Sequence, residues 1–503
     1  MALRVMIRAE VPCLLRGVVY HDLSIFMPFS VKRRKTDSQR FPEVGKMHLT
    51  YDTFLMKLPE VYRERRLVIG FSGGLDSTVL LHLCMTLREQ GIIRSLEAIH
   101  VNHGLSPDAA LWQRFCEALC QRWSVPITSR HVVVPRAAGT GLEAAARTMR
   151  YQQYKEVLQP GDCLLQAHHL NDQAETLLYR AVRGCGVHGL AAIPRARALG
   201  AAMILRPLLD IPGEAIHAYA RRHQLEWVED ESNRDVTCDR NFLRHEVVPQ
   251  LNQRWPGALN NLGHLAKDAA DVAALLDQVA ETDLQQVLSV KGIPYHRKVP
   301  ILDGACLKSL PDYRQRNVLR HWLRSQGFSL PARTVIQSVL SDLVSAARDA
   351  CPLVCWDGCE VRRHENAIVA MRPPGALTPF SCQLTLAGGD SLDLPGNGRI
   401  HAEYHKQALS WILVRSDVSD LSLGYRPDIK VAAFRLPGRT GRKSLKKWLN
   451  ELGVPVWVRD RLPVLHRDGE LVAIPGLLVS AGYVAAADQP GIAYRWQSPF
   501  EQQ

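Results

Sequence analysis

FSGGLDST, Phe71 to Thr78, follows the apolar run LVIG at Leu67 to Gly70, and the residues after it resume helical spacing in VLLHLC. A strand that breaks into glycine, serine and aspartate just before a helix makes a loop whose backbone N–H groups can surround a phosphate. An ordinary strand-to-helix turn has the same look, so the neighbouring segments decide between the two.

Those neighbours repeat the theme. From Leu67 to about Leu225, apolar runs alternate with helical patterns. LVIGF precedes a helix over 76–88, and LEAIHV (Leu96–Val101) one over 108–122. ITSRHVVV precedes a helix over 141–157, and CLLQA (Cys163–Ala167) one over 171–183. Four strand–helix repeats predict an α/β domain with a doubly wound parallel sheet covered by helices. Ligands of such sheets sit beyond the carboxyl ends of the strands. SGGLDS, HVNHG and AHHLNDQAET stand at three of those ends, which favours the phosphate reading.

The domain boundaries follow from the same pass. Residues 47–260 form the sheet domain. Residues 261–372 read as mainly helical, with a strand pair at LVCWDG and EVRRHENAIVAM joined through a WDG turn. PPGALTP (Pro373–Pro379) is a linker, and residues 380–490 alternate as a small α+β domain. Residues 1–46 lack periodicity and end near the basic KRRK; they partly fit a transit peptide. The plainer expectation is a start at Met47, with the extension disordered or not made.

The 503 residues are 46% hydrophobic and suffice for about three cores. No apolar run approaches the roughly 18 residues that span a bilayer, so no membrane is expected. A net charge of +12, from 62 basic and 50 acidic residues, favours a polyanionic partner. Twelve cysteines without any Cys-x-x-Cys suit reduced thiols and a cytoplasmic protein. The cluster Cys351, Cys355 and Cys359 does not have common zinc spacing.

Several residues carry both a plain and a functional reading. Asp76 is an acid placed where a helix dipole favours it, or the carboxylate that a bridging Mg²⁺ joins to the phosphates. Asp172 and Glu175, three apart in a first helical turn, share a face as dipole-complementing acids or as ligands for a cation. Asn171 is the expected N-cap. His168 and His169 are core histidines or nucleotide contacts, with His168 better placed for the latter. Asn102 and His103 pack a helix or line the cleft. Glu143 and Arg147, four apart, form a surface pair or a cleft wall, and Arg183 ends the Asp172 helix. In RLPGRTGRKSLKKWLN, the cations Arg435, Arg439, Arg442, Lys443, Lys446 and Lys447 suit a sugar–phosphate chain. Trp448 reads as core in preference to a base-stacking platform.

SGGLDS resembles the PP-loop of the ATP pyrophosphatase superfamily, without the lysine of a Walker A loop. With HVNHGLS, LEAAARTMRY, AHHLNDQAETLLYRAVRGCGVHGL, RPLL, EDESNRDVTCDRNFLRHEVVPQL and GRKSLKKWLNELGVPVWVRDRLPVL, the chain from about Met47 to Val484 resembles the bacterial tRNA(Ile)-lysidine synthetase family. That resemblance implies ATP-dependent adenylation of C2 of cytidine 34 in a tRNA(Ile) with a CAU anticodon, then attack by free L-lysine. It implies that Ser72, Gly73, Gly74, Leu75, Asp76 and Ser77 bind ATP, with Mg²⁺ at Asp76. Asp172, Glu175 and His168 become catalytic, and Asn102, His103, Glu143 and Arg147 line the nucleotide or target-base cleft. Arg206, Arg240, Asn241 and Arg244 become contacts to the tRNA backbone or the adenylate, and Arg439, Arg442, Lys443, Lys446 and Lys447 become tRNA contacts. A thiolase, a small-molecule amide synthetase and a non-catalytic RNA-binding module are the competing classes. The oligomeric state, with a homodimer among the options, is not legible.

Overall fold

The computed structural model describes residues 48–501 apart from 135–141, 297–298, 347–349, 385–388 and 408–412; the extension 1–46 lies outside them. Its first layer is built from β1 (Arg66–Gly70), α1 (Leu75–Glu89), β2 (Ser95–Asn102), α2 (Ala109–Arg122), β3 (Ile127–His131), α3 (Leu142–Val157), β4 (Cys163–Leu165), α4 (Leu170–Val182), β5 (Ala196–Leu199), β6 (Ala202–Leu205) and α5 (Gly213–Arg222). The strands form one six-stranded sheet in the order β3-β2-β1-β4-β6-β5. All neighbours are parallel except β5, which pairs antiparallel with β6.

Both faces are covered, which explains why the strands read as continuous apolar runs. Successive side chains point to opposite faces. Leu67, Ile69 and Leu165 therefore join one core with Leu81, Ile216 and Tyr219. Val68, Leu164 and Ile204 join another with Tyr154. The chain moves outward from β1 in one direction through β2 and β3, and in the other through β4. The switch point thus lies between the carboxyl ends of β1 and β4, where doubly wound sheets bind ligands. The hairpin β5–β6 was not expected from the sequence: ARALGAAMIL is alanine-rich and too short for a periodic signal.

The middle segment pairs the helices α6 (Ala258–Val287) and α7 (Asp312–Ser325) with more sheet than expected. The anticipated strand pair grows into four antiparallel strands, β7 (Leu302–Asp303), β8 (Leu353–Trp356), β9 (Cys359–His364) and β10 (Ala367–Met371), ordered β7-β10-β9-β8. Asp357 and Gly358 make the β8–β9 turn with φ of +33° and +71°, the positive values that a two-residue hairpin loop needs. Cys355 is exposed and Cys359 buried across that turn.

Beyond residues 373–379, a five-stranded sheet and a four-stranded sheet pack with short helices such as α8 (Leu445–Glu451). Trp448 is 1% exposed in this core, and its Nε1–H donates to the Phe434 carbonyl at 3.2 Å. Tyr295, Val369 and Met371 belong to the same core as Leu423 and Val464, so the middle segment is bound to the last one through shared packing. Among the described residues no helix is long and apolar enough to cross a membrane.

Candidate active site

The loop after β1 is built around Gly73, whose φ is +83°; a Cβ there would stand 2.8 Å from the Cys116 sulfur. Its carbonyl accepts from the Val228 N–H at 3.0 Å, and the first helical bond of α1 runs from Thr78 N to Gly74 O at 3.0 Å. The N–H groups of Leu75, Asp76 and Ser77 precede that bond and are the donors a helix start offers an anion. Ser77 Oγ donates to Gly74 O at 3.0 Å and lies 3.0 Å from Ser72 Oγ, so both hydroxyls are held inside the loop.

Across the switch point, α4 presents the second half of the site. Its N-cap is His169, not Asn171. His169 Nδ1 accepts from Asn171 N at 3.2 Å, while Asp172 Oδ2 accepts from His169 N at 3.0 Å. Asn171 instead receives the Gly213 N–H at 3.0 Å. Using Nδ1 as the cap aims the other nitrogen outward. His169 Nε2 lies 3.6 Å from Asp76 Oδ2 and 3.7 Å from Asp172 Oδ2. Burial opposes charge on this ring, yet Asp172, Asp76 and Glu175 prevail and lift it from 6.5 to about 9; only the neutral ring accepts the Asn171 N–H, so protonation exchanges that cap bond for the attraction of the acids. Burial likewise opposes the Asp172 carboxylate, but His169, His168, Arg240 and the backbone N–H hold it down at about 2.

Arg240 and Arg244 come from the helical run that follows α5, the second from a π-helical turn (Leu243–Val247). Being four apart they share a face, and they meet the acids three apart on α4. Arg240 reaches Asp172 Oδ1 at 3.0 Å and Glu175 Oε2 at 3.2 Å. Arg244 reaches Asp172 Oδ1 at 3.2 Å and Glu175 Oε1 at 2.8 Å. Glu175 is 1% exposed, so its charge is tolerable only because two guanidinium groups bracket it. Burial acts against Arg244, and Glu175, Asp172 and Asp76 nonetheless raise its pKa. The two arginines expected at the RNA thus hold the two acids expected at the lysine.

The other candidates divide between their plain and functional readings. Arg206 is 1% exposed and cannot reach an RNA backbone; it donates to His168 Nδ1 at 3.1 Å. Asn102 is committed to its own turn, donating to Ala109 O at 3.3 Å and Gln113 Oε1 at 3.0 Å and accepting from Gly104 N at 2.9 Å. Asn241 donates to Asp235 O at 2.9 Å. His103 keeps a buried Nδ1 without a hydrogen-bond partner among the described residues; burial, then Arg150 and His100, lower its pKa to about 4. The Arg147 guanidinium stacks 5.1 Å from the Tyr151 ring, and the Glu143 side chain lies outside the described residues. Arg183 follows α4 and stacks on Tyr179.

Tyr151, Gln166 and Arg197 were not foreseen. Arg197 covers Tyr151 at 4.7 Å, and the Tyr151 hydroxyl donates to Gln166 Oε1 at 3.2 Å. The four-residue spacing of Arg147 and Tyr151 was the only signal available for them. In the last segment, Arg435, Arg439, Arg442, Lys446 and Lys447 are exposed. Lys443 is paired with Glu451 at 2.5 Å and covers Trp448 at 4.6 Å.

Residues 47–251 match the PP-loop domain, 302–369 the TilS substrate binding domain, and 422–496 the TilS substrate C-terminal domain. A tRNA(Ile)-lysidine synthase of Coxiella burnetii is 36% identical over 434 residues, covering 86% of this chain and 93% of its own. Another, of Pseudomonas putida, is 40% identical over 436 residues, 86% of this chain and 95% of its own. That of Escherichia coli O157:H7 is 34% identical over 446 residues, 87% and 98% respectively. The chain belongs to the tRNA(Ile)-lysidine synthase family. As a lysidine synthase family member, it carries its phosphate loop and its paired acids and arginines in the PP-loop domain, and its exposed basic run in the C-terminal one.

Proposed function

We propose that this chain ligates free L-lysine to C2 of cytidine 34 in the CAU anticodon of tRNA(Ile). ATP adenylates the C2 oxygen with loss of pyrophosphate; the lysine ε-amine then displaces AMP, and the product reads AUA in place of AUG. The observation that carries this reading is the meeting of the Ser72–Ser77 loop with the Asp172–Glu175–Arg240–Arg244 cluster across one switch point, in a chain of this family.

The first step needs charge stabilisation at the departing pyrophosphate. The helix-start N–H groups supply fixed dipoles there, at no cost of reorganisation, and the Ser72 and Ser77 hydroxyls hold the loop that aims them. Asp76, with its side chain 41% exposed, stands where a divalent cation would meet both carboxylate and phosphate. Magnesium is held through one or two carboxylates and substrate phosphates; Asp76 would hold it here, and it would supply positive charge against the triphosphate.

The second step needs a lysine ammonium that is bound and then loses a proton. Asp172, held at about 2, is a poor proton acceptor and serves to bind. Glu175 is the remaining acid for the proton. For the ammonium to be received there, Arg240 and Arg244 must share or release the acids, which frees both cations for the phosphates of the adenylate.

The test combines purified protein, ATP, Mg²⁺, labelled lysine and an unmodified tRNA(Ile) transcript with a CAU anticodon. Label should enter this tRNA and not one altered at position 34. Release of AMP without incorporated label would keep the adenylation and remove lysine; neither signal would remove both.

A further inference from the structure

We propose that Arg206 is a positioning residue which fixes His168 as the neutral tautomer with its proton on Nε2, so that His168 gives the cleft a hydrogen-bond donor and not a base. The proposal rests on the reaction assigned above only for the identity of the acceptor.

The geometry leaves little choice. Arg206 directly follows β6, and its side chain returns beneath the cleft. Its Nη1 donates to Pro194 O at 2.6 Å, Nη2 to Gln166 Oε1 at 2.9 Å, and Nε to His168 Nδ1 at 3.1 Å. A guanidinium has five donors and no acceptor, and it does not give up its proton in a protein. The hydrogen between Arg206 and His168 therefore belongs to the arginine, and Nδ1 is an acceptor. A histidine whose Nδ1 accepts, and which is uncharged, carries its hydrogen on Nε2.

The surroundings keep the ring uncharged. Burial comes first, opposed by Asp172; Arg206, Arg240 and Arg147 act with burial, and the ring falls to about 3. The anchor is itself fixed, because the Gln166 oxygen that receives Arg206 also receives the Tyr151 hydroxyl. No salt bridge joins Arg206 to an acid among the described residues. A buried guanidinium held by neutral dipoles is costly, and orienting His168 gives it a use.

His168 is half-buried at the carboxyl end of β4, and its Nε2 makes no hydrogen bond among the described residues. A neutral donor there suits an oxygen that gains negative charge as the C2 oxygen attacks, namely that of the α-phosphate. No proton changes hands, and His168 cannot take the proton that lysine sheds.

The test reads the imidazole directly. In wild-type protein labelled with ¹⁵N-histidine, long-range ¹⁵N–¹H correlation, with His168 assigned by its loss in His168→Gln, should show a protonated Nε2 and a bare Nδ1. The pattern should hold from about pH 5.5 to about pH 8, the range in which ordinary histidines titrate. A protonated Nδ1, or an imidazolium appearing near pH ~6.5, overturns the proposal. These spectra need no substrate, so they stand whether or not lysine is ligated.

Arg206→Met should mix the two tautomers and lower kcat for tRNA adenylation by about 10²-fold, the size of losing one fixed donor, with the KM for ATP little changed. A folded Arg206→Met protein with an unmixed tautomer and full kcat also overturns it. Should that variant not fold, the wild-type spectra still decide.

Discussion

The Oδ2 of Asp76, in the phosphate loop, lies 3.6 Å from the Nε2 of His169, the N-cap of the helix that carries both site acids. One imidazole thereby links the carboxylate of the loop after β1 with an acid of α4, since its Nε2 is also 3.7 Å from Asp172. Charge at one end of the site is felt at the other.

That link makes stability depend on pH in a stated direction. His169 is raised from 6.5 to about 9, so the folded state binds its proton more tightly than the unfolded chain. The contribution is fully present below pH 6.5 and is lost as the pH rises through about 9. It amounts to about 3 kcal/mol at most. Chemical denaturation of wild-type and His169→Gln proteins should show a gap that closes between those limits. A gap that widens there would refute the link.

Asp76→Ala should leave the fold intact and lower tRNA-dependent AMP release by about 10²-fold or more. Pyrophosphate and AMP assays, beside a melting curve, read both. Near-normal release would remove Asp76 from the chemistry.

Gly73→Ala should destabilise the loop by about 1–3 kcal/mol, because it places a side chain at positive φ and 2.8 Å from the Cys116 sulfur. ATP affinity and thermal stability should fall together. A variant with unchanged ATP binding would show that the loop tolerates another shape.

Removing Arg244 leaves Glu175, 1% exposed, with Arg240 alone. Breaking a buried pair from one side costs about 3–5 kcal/mol, and the value here should fall near the lower end because Arg244 is one-third exposed. A double-mutant cycle of Arg244→Met with Glu175→Met should return a coupling of more than about 1 kcal/mol. Additive effects would mean that the two charges do not sense one another.

Replacing Lys443, Lys446 and Lys447 together with alanine should weaken tRNA binding, flatten its salt dependence and spare ATP. Each lost phosphate contact lowers the slope of log affinity against log salt by about 0.7–0.9. Lys443 alone should matter least, since Glu451 already matches its charge. Unchanged tRNA affinity at moderate salt would reduce these lysines to solvated surface.

Much of the fold was local enough to read. Continuous apolar runs and helical runs placed the first four strands and their helices within a few residues, because their patterns span whole elements. The hairpin β5–β6 and the extra strand β7 escaped, being two to four residues long and stabilised by neighbours in place of their own pattern. Asn is a common cap, which points to Asn171; His169 fills that place because the Nδ1 of its neutral ring accepts the Asn171 N–H, while Nε2 lies 3.6 Å from Asp76.

By itself the sequence determined the Gly/Ser loop between a strand and a helix, the first four strand–helix units, the two acids on one helical face, and the basic run near the C-terminus. Each follows from residues within a few positions of one another. Only the tertiary structure decided that Arg240 and Arg244 clasp Asp172 and Glu175, that Arg206 lies buried against His168, and that His169 joins Asp76 to Asp172. Those pairings bring together groups from separate strand–helix units, and burial decides their charges; spacing along a chain holds no information about either.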